Sequence, residues 1–489
     1  LNTPNDSQAN QGALTINSAG TVEVLGGNPL YNGTALNRTI TINGGTLTRT
    51  AGGNNQDYRV KSIDMTAGLI SSTTVNYMEF FNDAYGSSVP VNTHASASEA
   101  VISANWAARN NVGTTTFVFT TEVGTTASGV DLLFSGNLAA NSVYNVTKAG
   151  AGVMAISANY HTTTVYGTGT FAGYSGTTTI SGGTLQLGNG GAAGTLNPLS
   201  TIVNNGNLAF NRDATTNLVQ GTHFNSVISG NGAVLQKGSG TTVLNGSNTY
   251  TGTTTIANGT LSASNIVVSA GASNLGNATG AVVLGDATNE GTLSYTGNSA
   301  TFTRGFSVDA GGGQIDTTTS GQTLTIATGG IATIAANTSL TIAGAGDTTI
   351  TAAVALGAAS GALTKDGAGL LNINSGAQTY KTLTTTAGAG TTNVNVALTA
   401  TGNTDVVANG NLKFGSVSQT LSSLTIGAGS FVTFSGGAAS GSLTSGGEAK
   451  APSFSGGGSV VPEPGTIGLL LVGAIGVLNR RRRAGAGEI

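Results

Sequence analysis

Apolar and polar residues alternate with a period of two in short runs along most of the chain. Examples are Leu14-Thr15-Ile16, Ile40-Thr41-Ile42, Leu324-Thr325-Ile326, Leu340-Thr341-Ile342, Leu371-Asn372-Ile373 and Leu424-Thr425-Ile426. Successive side chains of a strand point to opposite faces, so each run puts two apolar groups on one side and Thr or Asn on the other. Glycine follows nearby at Gly44, Gly344 and Gly427, supplying the positive φ of a tight corner. The pattern predicts many short strands, each with one buried face, joined by tight turns.

Longer repeats lie over this alternation. Tyr174-Ser175-Gly176-Thr177-Thr178-Thr179-Ile180-Ser181-Gly182-Gly183-Thr184-Leu185 returns 76 residues later as Tyr250-Thr251-Gly252-Thr253-Thr254-Thr255-Ile256-Ala257-Asn258-Gly259-Thr260-Leu261, with nine of twelve residues identical. A second element occurs as Lys148-Ala149-Gly150-Ala151-Gly152, Lys237-Gly238-Ser239-Gly240 and Lys365-Asp366-Gly367-Ala368-Gly369, each before a short apolar strand. In the middle copy the lysine stands one residue closer to the glycines, so its turn must differ. Asn205-Gly206-Asn207-Leu208-Ala209-Phe210 is matched by Asn409-Gly410-Asn411-Leu412-Lys413-Phe414.

Three strands of about five residues and three corners of about three make a coil of roughly 24 residues, so the 76-residue offset spans about three coils. The fold predicted for residues 1–434 is all-β: a right-handed parallel β-helix, or solenoid, in which each coil hydrogen-bonds the next. An antiparallel sandwich is the main rival, because short strands with glycine turns also build that fold.

Composition agrees with a repetitive scaffold. Only 8% of the 489 residues are charged and 77 are glycine, unlike a typical globular enzyme or an acidic disordered chain. With no cysteine, neither disulfides nor thiolate metal sites can hold the fold, and stability must come from packing and backbone pairing. The net charge is −3 and the one basic cluster lies at the C-terminus, so nucleic acid is not an expected partner. The chain opens at Leu1-Asn2-Thr3-Pro4 without a basic-then-apolar leader, which reads as a processed N-terminus.

Lys-x-Gly-x-Gly before a strand, followed by Tyr-[Ser/Thr]-Gly-Thr-Thr-Thr-Ile and Gly-Thr-Leu, resembles the autotransporter-associated β-strand repeat of bacterial surface-protein passenger domains. The likeness is strongest at 146–187 and 234–261 and weaker at 363–386. It implies a β-helical stalk tied to surface display, adhesion or matrix. Autotransporters end in an outer-membrane barrel of amphipathic strands, and here a different C-terminal segment stands in that place.

That segment starts with Val461, Pro462, Glu463 and Pro464, continues as an uncharged apolar run over 465–478, and closes on Arg480, Arg481, Arg482 and Arg483. Fourteen helical residues would rise about 21 Å, short of a hydrocarbon core of about 30 Å, so spanning would need bilayer thinning and snorkelling arginines. The arginines would hold the C-terminus on the cytoplasmic side and the body on the other. The order resembles the PEP-CTERM sorting signal of Gram-negative bacteria at 460–483, with 484–489 as a short tail. The resemblance implies an exosortase-like membrane enzyme as partner, transient membrane anchoring, and delivery to the cell surface or an extracellular matrix in which polysaccharide or other surface proteins are possible partners. Residues 435–459, rich in Gly and Ser, read as a flexible tether ahead of the signal.

Candidate chemistry is sparse. Parallel β-helices also host polysaccharide lyases and hydrolases, whose sites need clustered carboxylates, yet the 20 acidic residues are scattered without a paired Asp-Asp or Asp-x-Asp. Asp309 and Asp316 flank a glycine run, but Gln314 breaks the calcium-binding pattern. His94, His161 and His223 lack metal spacing. No catalytic residue, cofactor or metal site is expected. Lys148, Lys237 and Lys365 read as solvated turn residues which, if aligned, would attract an anionic polysaccharide. Residues 76–110, with Tyr77, Phe80, Phe81, Tyr85 and Trp106, read as a side loop or decorated coil whose aromatics pack against the coil or stack on a sugar. The leading reading is an exported, non-enzymatic surface or matrix protein; the alternative is a lyase or hydrolase on the same fold.

Overall fold

The computed structural model describes residues 13–25, 39–50, 56–73, 78–81, 89–108, 115–140, 143–160, 164–166, 169–225, 227–398, 404–436 and 439–445. The sorting signal at 460–483, its predicted helix at 465–478, most of the tether, Tyr77, Tyr85 and His161 lie outside the described residues; within the predicted tether, Ala439–Ser445 is instead a strand paired in parallel with Gln419–Ile426, continuing the stack past residue 434. Every regular element within them is a strand, and nearly all pair in parallel.

The strands form a three-faced solenoid of about fifteen turns. On the first face, parallel pairing runs from Leu14–Asn17 to Ile228–Ser229, and the same place in the coil is later held by the sheet from Ala300–Phe302 to Val432–Phe434. The second face runs without a gap from Thr21–Val24 to the first part of Gln378–Thr385, whose second part belongs to the third face. The third begins with Gln56–Arg59, is interrupted after Leu138–Ala140 by the antiparallel hairpin Thr164–Tyr166 and Gly169–Gly173, and resumes at Leu218–Val219. At about 4.8 Å per turn, fifteen turns make a rod roughly 70 Å long.

The two-residue period decides which atoms fill the rod. In Leu340-Thr341-Ile342 and Leu371-Asn372-Ile373 both apolar side chains are buried while Thr341 and Asn372 are half-exposed. Because coils stack in register, buried residues form columns, such as Met154, Leu185, Leu208 and Val234 on the second face. Burial of each Leu or Ile stabilises by roughly 1.5–3 kcal/mol.

The described part of 76–110 belongs to the coils. Strands Met78–Phe81, Val91–Thr93, Ala100–Ile102 and Trp106–Ala108 each pair in parallel with neighbours on both sides. Trp106 is 1% exposed and lies 6.4 Å from the Phe134 ring, so its role is packing.

Candidate functional surface

The repeated motifs build one corner module, spread over two successive coils. In the first copy, strand Tyr144–Ala149 turns through Gly150 into Val153–Ile156; on these stack Thr178–Ile180 and Thr184–Leu187, joined through Gly183. Gly183 has φ +60°, and a Cβ there would lie within 3.0 Å of the carbonyl oxygens of Gly150 and Gly152. Only glycine allows the upper corner to sit this close to the lower one. Tyr174 is buried and shares a hydrogen bond with Thr178 Oγ1 at 3.1 Å; Tyr250 does the same with Thr254 Oγ1 at 2.9 Å. Burial pushes both phenols up to about 12.

The lysines correct the solvated-turn reading. Lys148 is 0% exposed and points inward, stacked between Phe119 and Ile180. Its Nζ donates to the carbonyl oxygens of Ala149 (2.8 Å), Gly150 (3.0 Å) and Gly182 (3.2 Å), tying the corners of two coils together. Burial pulls its pKa down to about 8, opposed by the Asp131 carboxylate. Lys365 is 1% exposed and donates to the carbonyls of Asp366 and Gly367; burial lowers its pKa too, opposed by Asp366 and Asp347.

Lys237 alone of the three is exposed. The inward place in that copy belongs to Gln236, stacked between Phe210 and Ile256, with Nε2 donating to Gly238 O (2.7 Å) and Gly240 O (3.0 Å). The one-residue shift in the sequence therefore marks an exchange of the clamp from Lys to Gln.

Register also corrects the coil count between copies. Thr178–Ile180 lies on the first face, whereas Thr254–Ile256 pairs with Ala233–Gln236 and Val282–Leu284 on the second. The 76-residue offset is thus three coils and one further face. Lys148, Gln236 and Lys365 fall on the first, second and third faces in turn. Two of the three lysines are buried and the three are not aligned, so they form no cationic stripe.

The outer surface is made of short polar side chains in rows. On the third face, parallel register aligns Thr241, Thr260, Thr292, Gln314, Thr341, Thr364, Thr384, Val407 and Thr425. On the first face Asn393 donates to Asn372 at 2.6 Å and Asn395 to Asn374 at 2.8 Å. Lys381 pairs with Asp405 at 2.9 Å.

The scattered candidates stay apart. His94 is exposed and meets Glu122 at 3.3 Å, while His223 Nδ1 accepts from Val219 N at 2.9 Å. Asp316 sits on an outer row, where partial burial raises its pKa. No group of three metal-ligating side chains occurs among the described residues. A cavity beside Phe119, Phe134, Met154, Tyr160 and Leu196 holds about 20 Å³, room for one water.

Comparison with known proteins follows the same division of the chain. Residues 146–187 and 234–263 match the passenger-associated-transport-repeat, and residues 460–483 match the PEP-CTERM protein-sorting motif. A 199-residue stretch is 31% identical to the adhesin BmaC autotransporter of Brucella suis biovar 1 (strain 1330), covering 35% of this chain and 5% of that protein. The chain therefore spans a small fraction of that relative's length. No solved structure matches.

Proposed function

We propose that this chain is an exported, non-enzymatic protein of the Gram-negative cell surface or extracellular matrix, acting as a β-solenoid rod that presents a long polar surface in the manner of an adhesin or stalk. The observation that carries the reading is the corner module: in the segments that match the passenger-associated-transport-repeat, glycines let successive corners pack closely, Lys148 bridges two coils, and Tyr250 and Gln236 brace corners within their own coil. A sequence devoted to holding a rod in register supports a role that depends on length and surface. The signal at Val461–Arg483 supports delivery through an exosortase-like enzyme, with the apolar segment anchoring the chain until processing near Pro462-Glu463-Pro464.

The test is fractionation in a Gram-negative host with an active exosortase, comparing a tagged chain with one lacking 461–483. The expected result is protease-accessible tag at the surface or in the matrix for the full chain, and loss of that pool for the deletion. Recovery of the full chain only in the cytoplasm, with its tail intact, would sink the reading. Retention of cells on matrix-coated surfaces then measures adhesion.

A further inference from the structure

Asn-Gly pairs recur at the corners of the rod, and the structure separates them by what the glycine N–H does. The N–H groups of Gly44, Gly190, Gly232, Gly246 and Gly410 donate to Thr66 O, Asn211 O, Asn204 O, Gln220 Oε1 and Thr385 Oγ1, at 2.8–3.0 Å. Each bond ties the glycine nitrogen to another coil. At Asn205-Gly206 the side-chain oxygen of Asn205 is engaged by Asn231 N–H at 3.3 Å. Asn258-Gly259 differs: Gly259 N–H donates to Oδ1 of Asn258 itself, at 2.7 Å. This bond folds the side chain back over the backbone nitrogen, holding the nitrogen and the side-chain carbon in one compact ring before the nitrogen is deprotonated.

We infer that Asn258 is a site of spontaneous self-modification in the folded rod. Gly259 N loses its proton to water or hydroxide and bonds to Asn258 Cγ. The bond from Cγ to the side-chain nitrogen breaks and ammonia leaves, closing a five-membered succinimide. Water then opens the ring at either carbonyl, giving Asp or, with one methylene moved into the backbone, isoaspartate. The net change is one water gained and one ammonia lost, with no enzyme or oxidant.

The location gives the reaction consequences. Gly259 has φ +64°, and a Cβ there would lie within 3.0 Å of the carbonyl oxygens of Gly238 and Gly240. A backbone lengthened at this corner cannot keep that stacking, so isoaspartate separates strand Gly259–Ala263 from Thr241–Leu244 beneath it. Either product adds a negative charge to a corner that has none.

The test is ageing of the purified full chain at mildly alkaline pH, with mass-spectrometric peptide mapping of each Asn-Gly pair, in buffer and in unfolding urea. In buffer Asn258 should convert at least about tenfold faster than Asn43, Asn189, Asn231, Asn245 or Asn409, from the difference in orientation. In urea the rates should converge. Conversion at Asn258 no faster than at those five in the folded chain, or the same advantage in urea, overturns the inference. Aged protein should also show faster hydrogen exchange over 259–263 than fresh protein.

Discussion

Replacing Lys148 tests whether the buried ammonium is a clamp. Lys148→Met keeps the apolar stem between Phe119 and Ile180 and removes the donor from the carbonyls of Ala149, Gly150 and Gly182. Each of these part-buried carbonyls left without its donor costs up to about 1–3 kcal/mol, while removing a buried charge returns part of that cost. The net expectation is a loss of about 2–4 kcal/mol. Lys148→Gln restores the donor that Gln236 uses at the equivalent corner and should fall within about 1 kcal/mol of the natural chain.

The pH dependence has a definite sign. Lys148 titrates near 8 when folded, against 10.5 for a free lysine. Below about pH 8 both states hold the proton and the slope is zero. Between there and 10.5 the unfolded chain binds the proton that the folded chain has released, so stability rises with pH, by up to about 3 kcal/mol. The assay is urea unfolding followed by Trp106 fluorescence, with hydrogen exchange over 149–152 and 181–184 to catch local opening of the corner. Equal stability of Lys148→Met and the natural chain, equal damage from Met and Gln, or a gap between the natural chain and Lys148→Gln that stays flat across this window would refute the clamp.

Gly183→Ala should destabilise by at least about 2 kcal/mol, since the methyl group meets two carbonyls at an unfavourable φ; urea midpoints read it out. Tyr174→Phe and Tyr250→Phe should each cost about 1 kcal/mol and add in the double variant, the sites being three coils apart. These phenols keep their protons to about 12 when folded and to 10 when unfolded, so stability should fall as pH rises through that interval, and the Phe variants should show a shallower fall in alkaline melts. Leu208→Ala, within a buried column, should cost about 2–5 kcal/mol in thermal or urea unfolding.

The period-two runs were a sufficient guide to the solenoid, because alternation, glycine corners and coil length all state the same geometry. The corner module was legible as a motif but its placement was not. Strand, corner and strand look alike on each face of a near-triangular coil, so an extra face adds too few residues to be noticed in a 76-residue offset. The buried lysines were missed because lysine is usually solvated. A signal was present: Tyr144, Val146 and Lys148 lie two apart, as do Val234 and Gln236, so period two already points the polar residue inward. What hid it was the chemistry at the end of the side chain: the accepting carbonyls are those of the glycine corner that follows the residue, and for Lys148 also Gly182 O in the next coil, which only stacking brings near.

The one-face advance of the module has a consequence for growth and for reinforcement. New length need not be added in whole turns, because a corner fits wherever a strand ends, so a lineage can lengthen the chain by small duplications without breaking the stack. It also distributes the reinforcement around the rod, since Lys148, Gln236 and Lys365 each brace a different face and no single edge carries all three.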